Sequence, residues 1–124
     1  MRKVLSLVAL SLAVSACSSS HTAAPTPSEP TYSDANAVAT AAHLDNCSPS
    51  NTGHDFVTEV SCGQRAVVLN FDTADHRDQW LEGYMANGIS GDAAVLTGDR
   101  WAVACPQRIT CEGLSSALGG TLKP

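Results

Sequence analysis

Five cysteines are the residues whose chemistry is easiest to infer from this sequence, and their number is odd. Thiols in proteins form disulfides, bind zinc as thiolates or carry covalent modifications. Cys17 ends a short apolar run near the start, and four more follow later in the chain: Cys47, Cys62, Cys105 and Cys111. Zinc sites built on cysteine commonly contain CxxC pairs, and this sequence has none, so no metal or other cofactor is predicted.

The segment that leads to Cys17 has a basic start, an apolar run over residues 4–14 and the ending Val14-Ser15-Ala16-Cys17. This arrangement resembles the lipobox of bacterial lipoproteins, and the resemblance covers residues 1–17. It implies that residues 1–16 are a signal peptide that is cut away. It also implies that Cys17 becomes the first residue, whose sulfur carries a diacylglyceryl group that anchors the chain to the outer face of the cell membrane. The apolar run is too short to remain in a bilayer as a spanning helix.

The alternative for Cys17 is an ordinary secreted protein that is cut near Ala16 and keeps a free thiol. If Cys17 carries the lipid instead, an even set of cysteines remains in an exported chain, where disulfides persist. Four cysteines allow three pairings. We favour Cys47–Cys62 and Cys105–Cys111, because the members of each pair are close in sequence and lie at a predicted junction of a helix and a strand.

The charge balance argues against two classes of partner. The chain has 12 acidic and 7 basic side chains, for a net charge of −5. Nucleic-acid binding is not expected, because phosphate neutralisation needs clustered Lys and Arg. The acidic domain is also not expected to adhere to anionic lipid, so the lipid on Cys17 would have to supply membrane attachment.

Residues 17–33 predict a disordered tether, because they are rich in Ser, Thr, Ala and Pro and offer little apolar surface to bury. Prolines recur there at Pro25, Pro27 and Pro30. Residues 34–122 are then expected to form one small domain.

Local patterns in that domain predict the order helix, hairpin, helix, hairpin, helix. Asp34 and Thr73 are candidate caps for the first two helices, and Gly119 is expected to end the third. The predicted fold is a small α+β two-layer sandwich in the order α-β-β-α-β-β-α, similar in design to ferredoxin-like folds. Its four-stranded antiparallel sheet comes from two hairpins and carries the helices on one face.

The predicted registers assign the core face of each hairpin. A two-residue turn at Gly63-Gln64 would place Val60 opposite Val67 and Phe56 opposite Phe71. In the second hairpin, Leu96 would lie opposite Trp101. The other face would be exposed or available to a partner, and it would carry Val57, Glu59, Ser61, Val68, Asn70, Val95 and Ala102.

Candidate catalytic residues are few and form no familiar motif, so no catalytic residue is predicted. They are His43, His54, His76, Asp55, Asp72, Asp75 and Ser61. Trp80 and Trp101 are expected in the core. If Trp101 lay at the edge of its hairpin instead, it would be a candidate partner contact.

The chain loosely resembles small lipoproteins of high-GC Gram-positive bacteria. The resemblance rests on its preference for Arg over Lys and on three stretches: residues 70–75, 98–103 and 117–120. That group implies no activity. We therefore expect a membrane-anchored, non-catalytic binding or interaction module with an envelope protein or cell-wall partner. The alternatives are a structural or protective envelope lipoprotein, such as a phage-type superinfection-exclusion factor, and a small enzyme with an unfamiliar site.

Overall fold

A computed structural model describes residues 30–63, 66–88 and 91–123. Cys17, the rest of its lipobox, and Pro25 and Pro27 of the expected tether lie outside the described residues. Three helices and six strands are present in the described part: α1 (Ala35–Ala41), β1 (Cys47–Ser50), β2 (Val57–Cys62), β3 (Ala66–Phe71), α2 (Ala74–Ala86), β4 (Ala94–Thr97), β5 (Trp101–Cys105), α3 (Arg108–Leu118) and β6 (Thr121–Lys123). The α+β class, the three helices and the antiparallel sheet are confirmed.

The sheet has six strands in the order β1-β2-β3-β5-β4-β6, so the prediction of four strands is wrong. All neighbouring strands are antiparallel. The two unpredicted strands, β1 and β6, are the sheet edges. β1 contains Pro49, which an edge strand tolerates because only one of its sides is paired.

The first hairpin has a different register from the predicted one. Val60 pairs with Val68 and Val57 with Phe71, a register that differs by one residue from the predicted one. Gly63 does adopt a positive φ of 60°, as expected. A shift of one residue reverses the face of every side chain on one strand relative to the other. Phe71 therefore lies on the face opposite to Val60.

The second hairpin is shifted by two residues, which leaves its faces unchanged. Leu96 pairs with Val103 and not with Trp101. Trp101, Val103 and Cys105 all belong to the main core, as their alternation predicted.

The helices pack on both faces of the sheet, so the two-layer arrangement with helices on one face is wrong. The first face carries Val60, Val68 and Leu96 and packs against α1 and α3. The second face carries Leu69, Phe71, Val95 and Ala102, and α2 packs on it through Trp80, Leu81 and Tyr84. Val68 and Asn70, expected on the second face, lie on the first because they pair with Val60 and Thr58.

Both favoured disulfides are present. Cys47–Cys62 joins directly opposite residues of β1 and β2, and Cys105–Cys111 joins β5 to α3. Their sequence separations of 15 and 6 residues correspond to stabilisation of about 3 and about 2 kcal/mol by the loop-entropy argument. For a domain of this size, that is a large share of the total free energy of unfolding.

Trp101 lies in the core of the first face and is only 1% exposed. Tyr32, at the end of the expected tether, packs edge-on against its ring at a centroid distance of 6.4 Å. The indole also lies directly over Gly98. Trp101 therefore has no exposed surface through which to act as the partner contact considered above.

No helix among the described residues is long and apolar enough to cross a membrane.

Gly98→Ala should destabilise the domain by about 2 kcal/mol or more, because a methyl group there would overlap the buried Trp101 ring. Gly113→Ala is the matched control. It lies within α3, where a methyl group meets no other atom, so the change should be neutral or stabilising by up to about 1 kcal/mol. Urea unfolding of both variants would measure the difference, and equal stabilities would contradict the packing of Trp101.

Candidate functional site

The second face of the sheet is only partly covered by α2. Leu69 and Phe71 on β3 are buried beneath the helix, whereas Val57, Glu59 and Ser61 on β2 remain partly exposed. A groove of about 390 Å³ lies between β2 and the N-terminal half of α2. Its lining residues are Thr52, His54, Phe56, Val57, Glu59, Leu69, Phe71, His76, Gln79 and Trp80.

One side of α2 forms an aromatic wall along this groove. His76, Trp80 and Tyr84 are four residues apart, so they lie one above the other on the same side of the helix. The Trp80 ring stacks on Tyr84 at a centroid distance of 4.9 Å. It also packs on the floor of the groove, 5.9 Å from the ring of Phe71.

A stack of three rings closes one end of the groove. Phe56 lies between His54 and His76, with centroid distances of 4.8 Å and 4.4 Å and an interplanar angle of 24° to each. His54 belongs to the loop before β2, where its backbone N–H donates to the Thr52 hydroxyl at 3.2 Å. The stack therefore links this loop to the first turn of α2.

The orientation of His76 is set from its other side by Asp72. His76 Nδ1 lies 2.5 Å from Asp72 Oδ1, and the Thr73 hydroxyl caps the helix by accepting from the His76 backbone N–H at 3.1 Å. The hydrogen bond from His76 lowers the pKa of the Asp72 carboxyl. Such a pair fixes one ring nitrogen and leaves the other free, which is the arrangement that positions a histidine for proton transfer or hydrogen bonding.

Glu59 is the one acidic side chain that lines the groove. It is partly exposed, and within the described residues its carboxylate accepts no hydrogen bond and forms no ion pair. Two described basic side chains, Arg77 and Arg100, contact groups other than Glu59. Arg77 binds Asp78 and the backbone carbonyls of Gly98 and Asp99, and Arg100 donates to the carbonyl of Asp72.

A second groove of about 310 Å³ lies farther along the same two strands. Ser61 and Val67, which pair across β2 and β3, form part of its lining, and Tyr84 belongs to its α2 side. Both grooves lie beside α2. The first is lined by His76 and Trp80 of this helix, and the second by Tyr84.

A larger depression, of about 700 Å³, lies elsewhere, between the end of α1 and the start of α3. His43 lines it beside Ile109, an apolar side chain that is 70% exposed. His43 is its one titratable lining residue, so this depression offers less chemistry than the groove beside α2.

Several candidate residues from the sequence are brought together here, and others are not. His54 and His76 lie on either side of Phe56 at one end of the groove, and His76 contacts Asp72. Ser61 lines the second groove. Asp55 and Asp75 are exposed and line neither groove. Among the described residues, no three His, Cys, Asp or Glu side chains are close enough to hold a metal ion together.

The groove also contains residues that sequence reasoning did not assign to a site. Phe56 and Trp80 were expected in a core, yet both are partly exposed. The spacing of His76, Trp80 and Tyr84 was the available signal, because four-residue steps place aromatic rings on one side of a helix.

Comparison with protein-family models, with curated proteins and with solved structures gave no match. The interpretation of the groove therefore depends on its own geometry.

His76→Gln should raise the pKa of Asp72 toward the ordinary range of an aspartate, because the hydrogen bond that lowers it is weakened. The pair stabilises the fold at pH values above the unfolded pKa of Asp72. This contribution is lost as the pH falls through the lower, folded pKa. NMR titration of the Asp72 carboxyl carbon would measure the shift. Asp75, in the same first turn but without a hydrogen bond to the His76 ring among the described contacts, provides the internal control, and an unchanged Asp72 pKa would contradict the pair.

Proposed function

We propose that this chain is a membrane-anchored extracytoplasmic lipoprotein that acts as a non-catalytic binding module, and that the groove beside α2 is its binding surface. The anchor is the lipid expected on Cys17, and the part of the expected tether, residues 17–33, that precedes the packed Tyr32 would let the domain stand away from the membrane. The observation that carries the binding role is the open aromatic groove with Glu59 in its wall.

The composition of the groove supports binding. Small-molecule and peptide sites are concave and mostly apolar, with few polar groups to set orientation. The groove follows this pattern, with Phe56, Phe71 and Trp80 as apolar surface and Gln79 and Glu59 as polar groups. Aromatic side chains that remain partly exposed are also enriched at protein interfaces.

The geometry favours binding over hydrolysis. Asp72 and His76 resemble the orienting half of a nucleophilic triad, which needs a hydroxyl or thiol within hydrogen-bonding reach of the histidine. Within the described residues, the His76 ring forms a side-chain hydrogen bond with Asp72 and none with a hydroxyl or thiol. One face of the His76 ring is also occupied by Phe56.

Cys17→Ser should move the protein from the membrane fraction to the soluble extracytoplasmic fraction, because the thioether to the lipid cannot form on serine. Immunoblots of fractionated cells would measure the distribution. Ser18→Ala, at the next residue, is the matched control and should remain in the membrane fraction. Retention of the Cys17→Ser protein in the membrane would contradict the anchor.

A photocrosslinking amino acid at Gln79, on the rim of the groove, should capture a reproducible partner in living cells. The matched control carries the same amino acid at Ser116, an exposed residue of α3, the helix that packs on the first face of the sheet. This control should not capture the species captured at Gln79. Mass spectrometry would identify the captured species. A pattern at Gln79 that is identical to the pattern at Ser116 would contradict the groove as the binding surface.

A further inference from the structure

We infer that the groove, taken as the binding surface of the proposed function, accepts an arginine side chain from a peptide segment of an extracytoplasmic partner protein. Glu59 would pair with the guanidinium, and His76 and Trp80, the two residues of the aromatic wall that line this groove, would pack against the arginine side chain. The inference rests on the proposed function, since it names the partner chemistry of the same groove.

The charge of the groove favours a cation. Glu59 is its one acidic lining residue, and neither Lys nor Arg lines it within the described chain. Two of the described arginines are held by other groups, Arg77 by Asp78 and two backbone carbonyls and Arg100 by the carbonyl of Asp72. A partly exposed carboxylate that pairs with no other described residue is complementary to a cationic ligand.

The aromatic groups narrow the choice of cation. A cation within about 6 Å of an aromatic ring is attracted by the electron density of the ring face. Trp80 supplies such a ring in the groove that Glu59 lines, whereas the two faces of Phe56 are covered by His54 and His76. Arginine fits a groove with an aromatic ring and a carboxylate better than lysine does. Its guanidinium is planar, stacks on aromatic rings, is weakly hydrated and can bind a carboxylate through two hydrogen bonds.

The size and continuation of the groove favour a peptide. Its volume of about 390 Å³ lies at the small end of ligand sites, which suits one long side chain. The aliphatic stem of an arginine can pack on Val57 and Leu69 while its charged end reaches Glu59. The second groove, which lies farther along β2 and β3 and is lined by Val67, Tyr84 and Ala104, offers apolar surface to another residue of the same peptide.

The test uses the exported chain with Cys17→Ser, labelled with ¹⁵N, and the peptide acetyl-Gly-Arg-Leu-Gly-amide. The indole N–H signal of Trp80 reports on the groove, and that of buried Trp101 is the internal control. We expect the peptide to shift the Trp80 signal in a saturable manner and to leave the Trp101 signal unchanged. Glu59→Gln should weaken the affinity by about fivefold or more, since loss of a partly buried ion pair costs about 1 kcal/mol.

Two controls separate charge from shape. The same peptide with citrulline in place of arginine keeps the shape of the side chain and removes its charge. Its affinity for the unmodified groove should be about as weak as the affinity of the arginine peptide for the Glu59→Gln variant. Glu82→Gln removes an equal charge from an exposed position on α2 that lines neither groove, and it should leave the affinity unchanged.

The other outcomes overturn the inference. Equal affinity for the arginine and citrulline peptides would show that charge is not recognised. If the arginine peptide at millimolar concentration did not shift the Trp80 indole signal, arginine would be excluded as the ligand of the groove. A Glu59-dependent shift with an amine-bearing peptidoglycan fragment, and none with the arginine peptide, would assign the groove to the cell wall. Partner capture through Gln79 would still support the binding role in each of these cases, whereas loss of that capture would contradict the proposed function itself.

Discussion

Strand β3 sets the main constraint on this fold, because it carries large apolar side chains on both of its faces. Val68 is fully buried on the first face, and Leu69 and Phe71 are 2% and 1% exposed on the second. A strand with this composition is stable only when packed elements cover both sides of its sheet. Helices α1 and α3 cover the first face, so α2 has to cross to the second. The three-layer arrangement follows from that single strand.

The groove is a geometric result of covering a wide sheet with one helix. Six strands spaced about 4.8 Å apart give a sheet about 24 Å wide, whereas a helix with its side chains is about 10 Å across. Helix α2 therefore covers the centre, above Phe71 and Ala102, and leaves β2 open beside it. No residue of α2 is fully buried, which agrees with a helix that rests on the sheet rather than within a core. Val57 and Glu59 line the groove because they lie on the second face beyond the edge of the helix.

The parts of the fold that depend on local chemistry could be predicted from sequence. The Asp34 carboxylate accepts from the Ala37 backbone N–H at 2.8 Å, and the Thr73 hydroxyl caps α2 as expected. The short separations of the cysteines indicated the correct pairing. Positive φ at Gly63 was also predictable, yet glycine permits this in hairpin loops of two residues and of three. The turn length, and with it the faces of the first hairpin, could not be read from the glycine alone.

The location of the groove depended on information that local patterns do not contain. Strand β6 has three residues, too few to show an alternation, and β1 has the loop-like composition Cys-Ser-Pro-Ser. The apolar side of α2 is too weak to indicate which face of the sheet the helix covers. The Trp80 ring therefore resembled a core residue in the sequence, although its four-residue spacing from His76 and Tyr84 was visible.

The N-terminal half of α2 is held in place from several directions, which makes the groove preformed. Asp72 binds His76, whose ring stacks on Phe56. Arg77 binds backbone carbonyls of the turn between β4 and β5, and Trp80 packs on the sheet. Toward the other end of the helix, Met85 is 36% exposed and belongs to neither core cluster. Binding to a site whose walls are already ordered costs less conformational entropy than binding to one that must be assembled. The contacts that fix His76, Arg77 and Trp80 therefore lie in the half of α2 that lines the groove with Glu59.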